Sequence, residues 1–502
     1  MPISQVAGCG EVNASAVLAN ACAEAAQGLS GMLGRPIAAV ALPSLQNALF
    51  LRPAAASTSG QQGPRPMQDD AFAITNGTCG DKALECIIID AASPAGVLYA
   101  VFRLLHWVRT EVGVQTQLPY RDAPAVGMRT WDLWDNQDGS VERGYAGTSV
   151  FEWSHLPSLL PRYTDYARLL ASVGINCIVL NNVNACGNGN EQMLASQQIQ
   201  NRAKLSALLA SWGIQTLVSP CFASPIIVGG LKTADPLDAG VIAWWRTKAE
   251  EYKQVSSSFV GLLVKADSEG QPGPAKYGRT ELQGANMLAD ALQPVGAVCV
   301  WRAFVHPPGN DAGHQPSYQY NLFHPWNGHF RSNVVVQVKN GPGDFQVREP
   351  VDALFGQMGS TNLGLELEAT QEYLGQAKHL ANLVPQWANY LRFDTMQNGS
   401  GTTLADIIHG NISHRQWTSM AAVSNFGNDP SWVGHPLSAV NAYGFGRLAW
   451  DPWQDASTIT EEWIRATWGV DPRVVSPLLR MMMASWEVRE SGFRPALDGV
   501  CY

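Results

Sequence analysis

Eight short runs dense in β-branched and aliphatic residues recur between residues 127 and 428, each followed by a stretch of helix length. They are GMRTWDLWD from Gly127, INCIVLNNV from Ile175, IQTLVSPCF from Ile214, FVGLLVKAD from Phe259, GAVCVWRAFV from Gly296, NVVVQVKNG from Asn333, NLGLELEATQEY from Asn362 and SMAAVSNFG from Ser419. Runs this continuous in hydrophobics suit strands buried on both faces, as in a parallel sheet. Between them the apolar positions switch to helical spacing, as in Tyr163, Tyr166, Leu170 and Val173, or Ile242, Trp245, Ala249 and Tyr252. The pattern predicts an α/β chain whose residues 127–428 form a (β/α)8 barrel. An open doubly wound sheet is the competing fold, and no Gly-rich phosphate loop follows any of the strands to support it.

The flanks read differently. Residues 1–126 are rich in Ala, Ser and Gly, and ECIIIDAASPAGVLYAVFRLLHWV reads as a strand, a turn and an amphipathic helix, which predicts a small α+β domain. Residues 429–502 read as a partial, truncated helical domain, with a capping box expected at Thr458 and Glu461 and a further helix opening at Asp471–Pro472. A net charge of -9 argues against nucleic acid or an anionic membrane surface as partner. No run of eighteen apolar residues is present to span a bilayer, and the opening residues lack a basic segment followed by an apolar one, so no signal peptide is readable. The nine cysteines are scattered without CxxC or zinc-ligand spacing. Those in INCIVL and AVCVW read as small buried hydrophobes, and no chemistry is assigned to any of them.

In a barrel of this kind functional groups gather at the C-terminal ends of the strands. Those ends carry Asp135 and Asn136; Asn181, Asn182 and Asn184; Lys265, Asp267 and Glu269; Trp301 and Arg302; Lys339 and Asp344; and Glu366, Glu368 and Glu372. The opposite ends are far less polar. Carboxylates from several strands, without a His-rich metal set or a Ser or Cys nucleophile signature, point to acid–base hydrolysis of a glycosidic bond. Lys265, Arg302 and Lys339 come from three successive strands, which suits fixing a small anion such as the carboxylate of an acidic sugar. The alternative is that each cation neutralises a neighbouring acid, and position alone leaves the two readings level. Trp131, Trp134, Tyr145, Trp153, Trp301, Phe345 and Tyr373 stand in the same loops, where an aromatic either faces a sugar ring or packs.

The blocks WDLWDNQDGSVERGYAG (131–147), VLNNVNA, GGLKTADPLDAGVIAWW, VKADSEGQPGPAKYGRT, VQVKNGPGDFQVREP, TQEYLGQAKHLANLVP and NAYGFGRLAWDP resemble, in order, the motif blocks of glycoside hydrolase family 67, the xylan α-glucuronidases. The resemblance covers the chain from about Pro94 to about Gly469. It implies an inverting hydrolase that removes glucuronic acid, or its 4-O-methyl ether, from the terminal non-reducing xylose of xylo-oligosaccharides, with no metal or organic cofactor. It makes Glu269 the general acid and gives Asp344 and Glu372 the attacking water, leaving open which of the two is the base. Lys265, Arg302 and Lys339 then contact the uronate or its neighbouring hydroxyls, and Trp134 is a sugar contact. A general acid must hold a proton, so burial and nearby acids are expected to raise the Glu269 pKa against the opposing pull of Lys265.

Asp267, Glu366 and Glu368 are expected to orient lysines and loop backbone instead, and Glu349 and Arg348 to pair with each other or with a neighbour. Relatives in the family are homodimers through a longer helical C-terminal domain, and the shorter one here weighs against that assembly. The resemblance implies secretion if the source is a eukaryotic microbe; without a signal peptide, a cytoplasmic location or a missing N-terminal segment stays open. The competing functions are a catalytically silent uronide-binding barrel and a barrel glycosidase for another uronide.

Overall fold

The computed structural model describes residues 3–9, 15–40, 48–53, 70–79, 84–305, 315–346, 349–370, 380–410, 412 and 415–497. The N-terminal part forms a six-stranded sheet from β1 (Gln5–Ala7), β2 (Ala38–Ala39), β3 (Ala48–Pro53), β4 (Phe72–Cys79), β5 (Leu84–Ala91) and β6 (Tyr120–Asp122), in the order β2-β1-β3-β5-β4-β6. β1 pairs in parallel with β2 and β3, and β3 with β5, whereas β4 runs antiparallel to both β5 and β6. Helices Ala16–Leu33 and Pro94–Arg109 pack on it, each started by a serine (Ser15, Ser93) whose hydroxyl accepts a backbone N–H of the first turn.

All eight expected strands form and close into a parallel barrel. They are β7 (Met128–Leu133), β8 (Cys177–Leu180), β9 (Gln215–Val218), β10 (Phe259–Val264), β11 (Val298–Arg302), β12 (Val334–Lys339), β13 (Leu363–Glu368) and β14 (Ser419–Ser424), with β14 pairing back to β7. The two-residue period of a strand sorts the side chains. Trp131 and Leu133 face the helices, while Met128, Trp134, Val179, Leu263, Val300 and Val335 meet in the barrel interior. Continuing that period along each strand sends Lys265, Arg302, Lys339, Glu366 and Glu368 inward at the top of the barrel.

Gly261 shows how closely the staves approach. Its φ is +151°, and a Cβ there would lie 1.9 Å from the Val298 carbonyl oxygen of the next strand, so only glycine fits. The β9–β10 register shifts at the same point, between Phe259 and Gly261.

The C-terminal helices Val440–Trp450, Ala456–Trp468 and Pro472–Leu497 follow the barrel. Ala456–Trp468 begins earlier than the expected capping box: Asp455 is its N-cap and accepts from the Thr458 N–H at 3.1 Å. An aspartate already capping the turn places Thr458 inside the helix. Arg129 of β7, fully buried, ties the three parts together. Its guanidinium donates to Asp70 Oδ2 at 2.8 Å and to the Gly174 carbonyl at 2.6 Å, and it lies 5.5 Å from the Tyr99 ring centre and 5.1 Å from that of Trp450.

Six of the cysteines pair, as Cys9–Cys22, Cys79–Cys86 and Cys186–Cys221, which corrects the reading that gave them no chemistry. Cys177 and Cys299, in the two apolar runs, are free and buried as expected. The pairs escape a spacing rule because their partners meet only through the fold, Cys186 and Cys221 from the loops after β8 and β9.

Candidate active site

Lys265, Arg302 and Lys339 rise from the adjacent strands β10, β11 and β12, and each meets a carboxylate. Lys265, with its side chain 2% exposed, donates to Glu269 Oε2 and, at 2.6 Å, to Asn184 Oδ1. Lys339, also 2% exposed, donates to Asp344 Oδ1, and its ammonium lies 3.3 Å from the Phe304 ring centre and 4.3 Å from that of Phe345. Arg302 is the most enclosed: it holds Glu366 through three contacts of 2.7 to 3.0 Å, with both side chains sealed from solvent. Each cation is thus paired with a neighbouring acid, as in the ion-pair alternative raised from the sequence. The acids on the two lysines remain accessible, Glu269 at 47% and Asp344 at 27% side-chain exposure, so the cations form a floor and the acids a rim.

Both rim acids sit on backbone in the left-handed region, Glu269 at φ +50° and Asp344 at φ +95°, which non-glycine residues adopt only when surroundings enforce it. The surroundings are on view. Asp267, also left-handed at φ +50°, accepts the Ala275 N–H at 2.8 Å and so closes the loop that carries Glu269. Glu349 accepts the N–H groups of Gly343 and Gln346 on either side of Asp344. Asp267 and Glu349 thus hold loop backbone, as expected for Asp267. Arg348, the expected partner of Glu349, lies outside the described residues.

The first-strand tip also resolves. Asn136 donates to Ser140 within its own turn and accepts from Asn182 and Asn190 of the loop after β8. Asp135 takes the Ser149 hydroxyl, and burial raises its carboxyl to about 7. Glu142 accepts from Asn182 at 2.8 Å and from Asn184 at 3.0 Å, which orients Asn184 toward Lys265. Trp134 is buried in the barrel mouth with Arg302 5.7 Å from its ring centre. Trp131 and Trp301 are packing residues whose indole N–H groups reach Tyr166 and Glu281. Glu372 and Tyr373 lie outside the described residues.

The electrostatics depart from expectation at Glu269. Burial pushes its carboxyl up, but the charge and hydrogen bond of Lys265, with Arg302 and Lys339 behind, bring it below the ordinary glutamate value. Burial, and then Arg302, lower both Lys265 and Lys339, while their carboxylates pull the other way. Burial would also lower Arg302, and Glu366 reverses the sign.

Two participants went unmarked in the sequence reading. Asp132 lies fully buried inside the barrel, and burial, then Glu366, raises its carboxyl well above the usual range while Arg302 opposes. Phe304 floors Lys339. Both stand two residues from a marked position, Trp134 and Arg302, so the strand period was the available signal.

A closed parallel barrel whose mouth presents half-exposed carboxylates over buried cations and aromatic rings has the architecture of the barrel glycoside hydrolases. Residues 110–432 match the glycosyl hydrolase family 67 middle domain and residues 433–496 the glycosyl hydrolase family 67 C-terminus; the chain belongs to this family. It is 43% identical over 401 residues to a probable alpha-glucuronidase A of Neosartorya fischeri, covering 79% of this chain and 47% of that protein. An alpha-glucuronidase of Hypocrea jecorina is 41% identical over 405 residues, again 79% and 47%. The chain spans about half the length of the curated relatives it matches. Among solved structures, a GH20 exo-β-N-acetylglucosaminidase from Vibrio harveyi aligns with a TM-score of 0.51 at 12% identity, over 96% of this chain and 75% of that one. CpGH84D aligns with a TM-score of 0.52 at 9% identity, over 96% and 71%. At such identities these two speak for the fold alone.

Proposed function

We propose that this chain is an inverting α-glucuronidase, cleaving the α-1,2 bond between glucuronic acid, or its 4-O-methyl ether, and the terminal non-reducing xylose of xylo-oligosaccharides. The observation that carries the reading is the rim-and-floor arrangement: two accessible carboxylates, Glu269 and Asp344, each on a buried lysine, from loops after β10 and β12. The relatives named as alpha-glucuronidases support the substrate class. Glu269 protonates the leaving glycosidic oxygen. Asp344 orients the attacking water and, alone or with Glu372, takes its proton. The lysines, with Arg302 behind them, hold the uronate, and Trp134 borders the sugar. Three disulfides suit an oxidising compartment and favour a secreted protein.

Incubation with aldouronic oligosaccharides, followed by proton NMR, tests the reading. The expected first product is the β-anomer of the free acid. Initial α-product would mean a covalent intermediate and a wrong role for one carboxylate. Tight binding without release would identify a silent uronide-binding barrel, and turnover of galacturonides alone a different uronide hydrolase.

A further inference from the structure

The lysines that face an incoming uronate already hold the two rim acids. Lys265 is bonded to Glu269 and Lys339 to Asp344, and both ammonium groups are enclosed by the barrel and so cannot swing out to solvent. An ammonium donating to a carboxylate stabilises its anion and reduces its appetite for a proton. That is the wrong state for a proton donor, and it weakens a group that must draw a proton from water. The cations Lys265, Arg302 and Lys339 face Glu269, while Lys339 faces the cations Arg302 and Lys265 and the acids Asp344, Glu366, Glu269 and Glu349. The same cations that would receive the substrate's anion therefore already engage both acids.

We propose that the substrate's own carboxylate switches the site on: by drawing the hydrogen bonds of Lys265 and Lys339 to itself, it releases Glu269 and Asp344, so an acidic sugar is required for bond cleavage as well as for binding. This rests on the reading of the site as a uronide hydrolase and adds a coupling to it. A second anion beside Lys265 and Lys339 competes for their N–H groups and sets a like charge next to both rim acids. Glu269 then takes a proton from solvent, and that proton passes to the glycosidic oxygen as the bond to carbon breaks. The attacking water loses its proton to the basic rim carboxylate, which returns it to solvent as the acid product departs, and both ion pairs re-form. A neutral sugar of the same shape would bind weakly and also find the acids still engaged.

Two measurements on the intact protein decide it. In the first, binding of free glucuronate and of xylose is followed by calorimetry in buffers of different ionisation heat. Glucuronate should bring net proton uptake and xylose none; binding of glucuronate without proton uptake overturns the proposal. In the second, an alkyl α-xyloside, which keeps the ring and lacks the carboxylate, is hydrolysed with formate or formamide added. Formate should raise the single-turnover rate saturably, by about 100-fold, the scale of a general-acid contribution, and formamide should not. No rescue by formate, or equal effects of the two, overturns the coupling while normal hydrolysis of the glucuronide leaves the parent reading intact. If the glucuronide itself is not hydrolysed, the parent reading falls and this proposal with it.

Discussion

Arg302 and Glu366 form the most enclosed ion pair of the barrel mouth, and Arg302→Met should show how much of the fold depends on it. Arg302 makes three contacts of 2.7 to 3.0 Å with Glu366, and the two side chains are 1% and 0% exposed. The substitution strips a carboxylate in a sealed space of its directly bonded partner, leaving Lys339 as a nearby cation, and removes the cation that opposes protonation of neighbouring Asp132. Losing one partner of such a pair costs about 3–5 kcal/mol, whereas replacing both by apolar groups of similar volume is often close to neutral. Arg302→Met should therefore destabilise by about that amount, and Arg302→Met with Glu366→Leu should recover most of it. Urea unfolding followed by tryptophan fluorescence reads this as a midpoint lowered by roughly 1–2 M in the single variant, for a slope of about 2–3 kcal/mol per M. A single variant within about 0.5 kcal/mol of the parent, below the range for buried pairs, would refute the reasoning. So would a double variant that loses the sum of both singles, because the energy would then lie in packing and not in the stranded charge.

Glu269→Gln should slow cleavage of natural substrates with alcohol leaving groups by about 100-fold or more while sparing activated phenyl glucuronides, as expected for a lost proton donor; equal loss on both would remove Glu269 from that role. His106, buried against Tyr443, has its pKa lowered from 6.5 to about 4 by burial, so the unfolded chain binds more protons between those values. Its contribution is complete above pH 6.5 and is lost as the pH falls toward 4. Unfolding midpoints measured across this interval should fall less steeply in His106→Asn than in the parent, by up to roughly 3 kcal/mol at the acid end, and identical slopes would contradict the assignment. Replacing Cys186 and Cys221 together by serine should loosen the loop whose Asn184 holds Lys265, raising KM for the uronide more than it lowers kcat; steady-state kinetics unchanged in both constants would leave that cross-link without a role in the site.

The barrel was legible because each of its strands is buried on both faces and so is written as an unbroken run that no amphipathic helix would carry. Lys265, Arg302 and Lys339 were legible for the same reason, since a cation ending such a run must be paired or used. What the linear order hides is which acid each cation meets. Glu269 and Asp344 reach their lysines only through loops with left-handed residues, whose course no hydrophobic period encodes. The sign of the Glu269 shift was hidden too, because it is set by a contest between desolvation and three converging charges, and distances decide that contest. The Cys186–Cys221 link joins loops brought together by the neighbouring staves β8 and β9, and the N-cap at Asp455 overrode a capping-box pattern only three residues away.

Arg129 bears on how such a chain can be cut or recombined. Its guanidinium leaves the first barrel strand, takes its counter-charge from Asp70 of the N-terminal part, and packs against the rings of Tyr99 and Trp450 from the helices Pro94–Arg109 and Val440–Trp450. Excising the N-terminal sheet would not yield a smaller, self-sufficient barrel but one with an unneutralised cation at its base. A graft of the barrel onto a foreign leader would need an acid at the Asp70 position before anything else. Shuffling at these sequence boundaries therefore costs the stability of a broken buried pair, about 3–5 kcal/mol, unless Arg129 is replaced together with its partner.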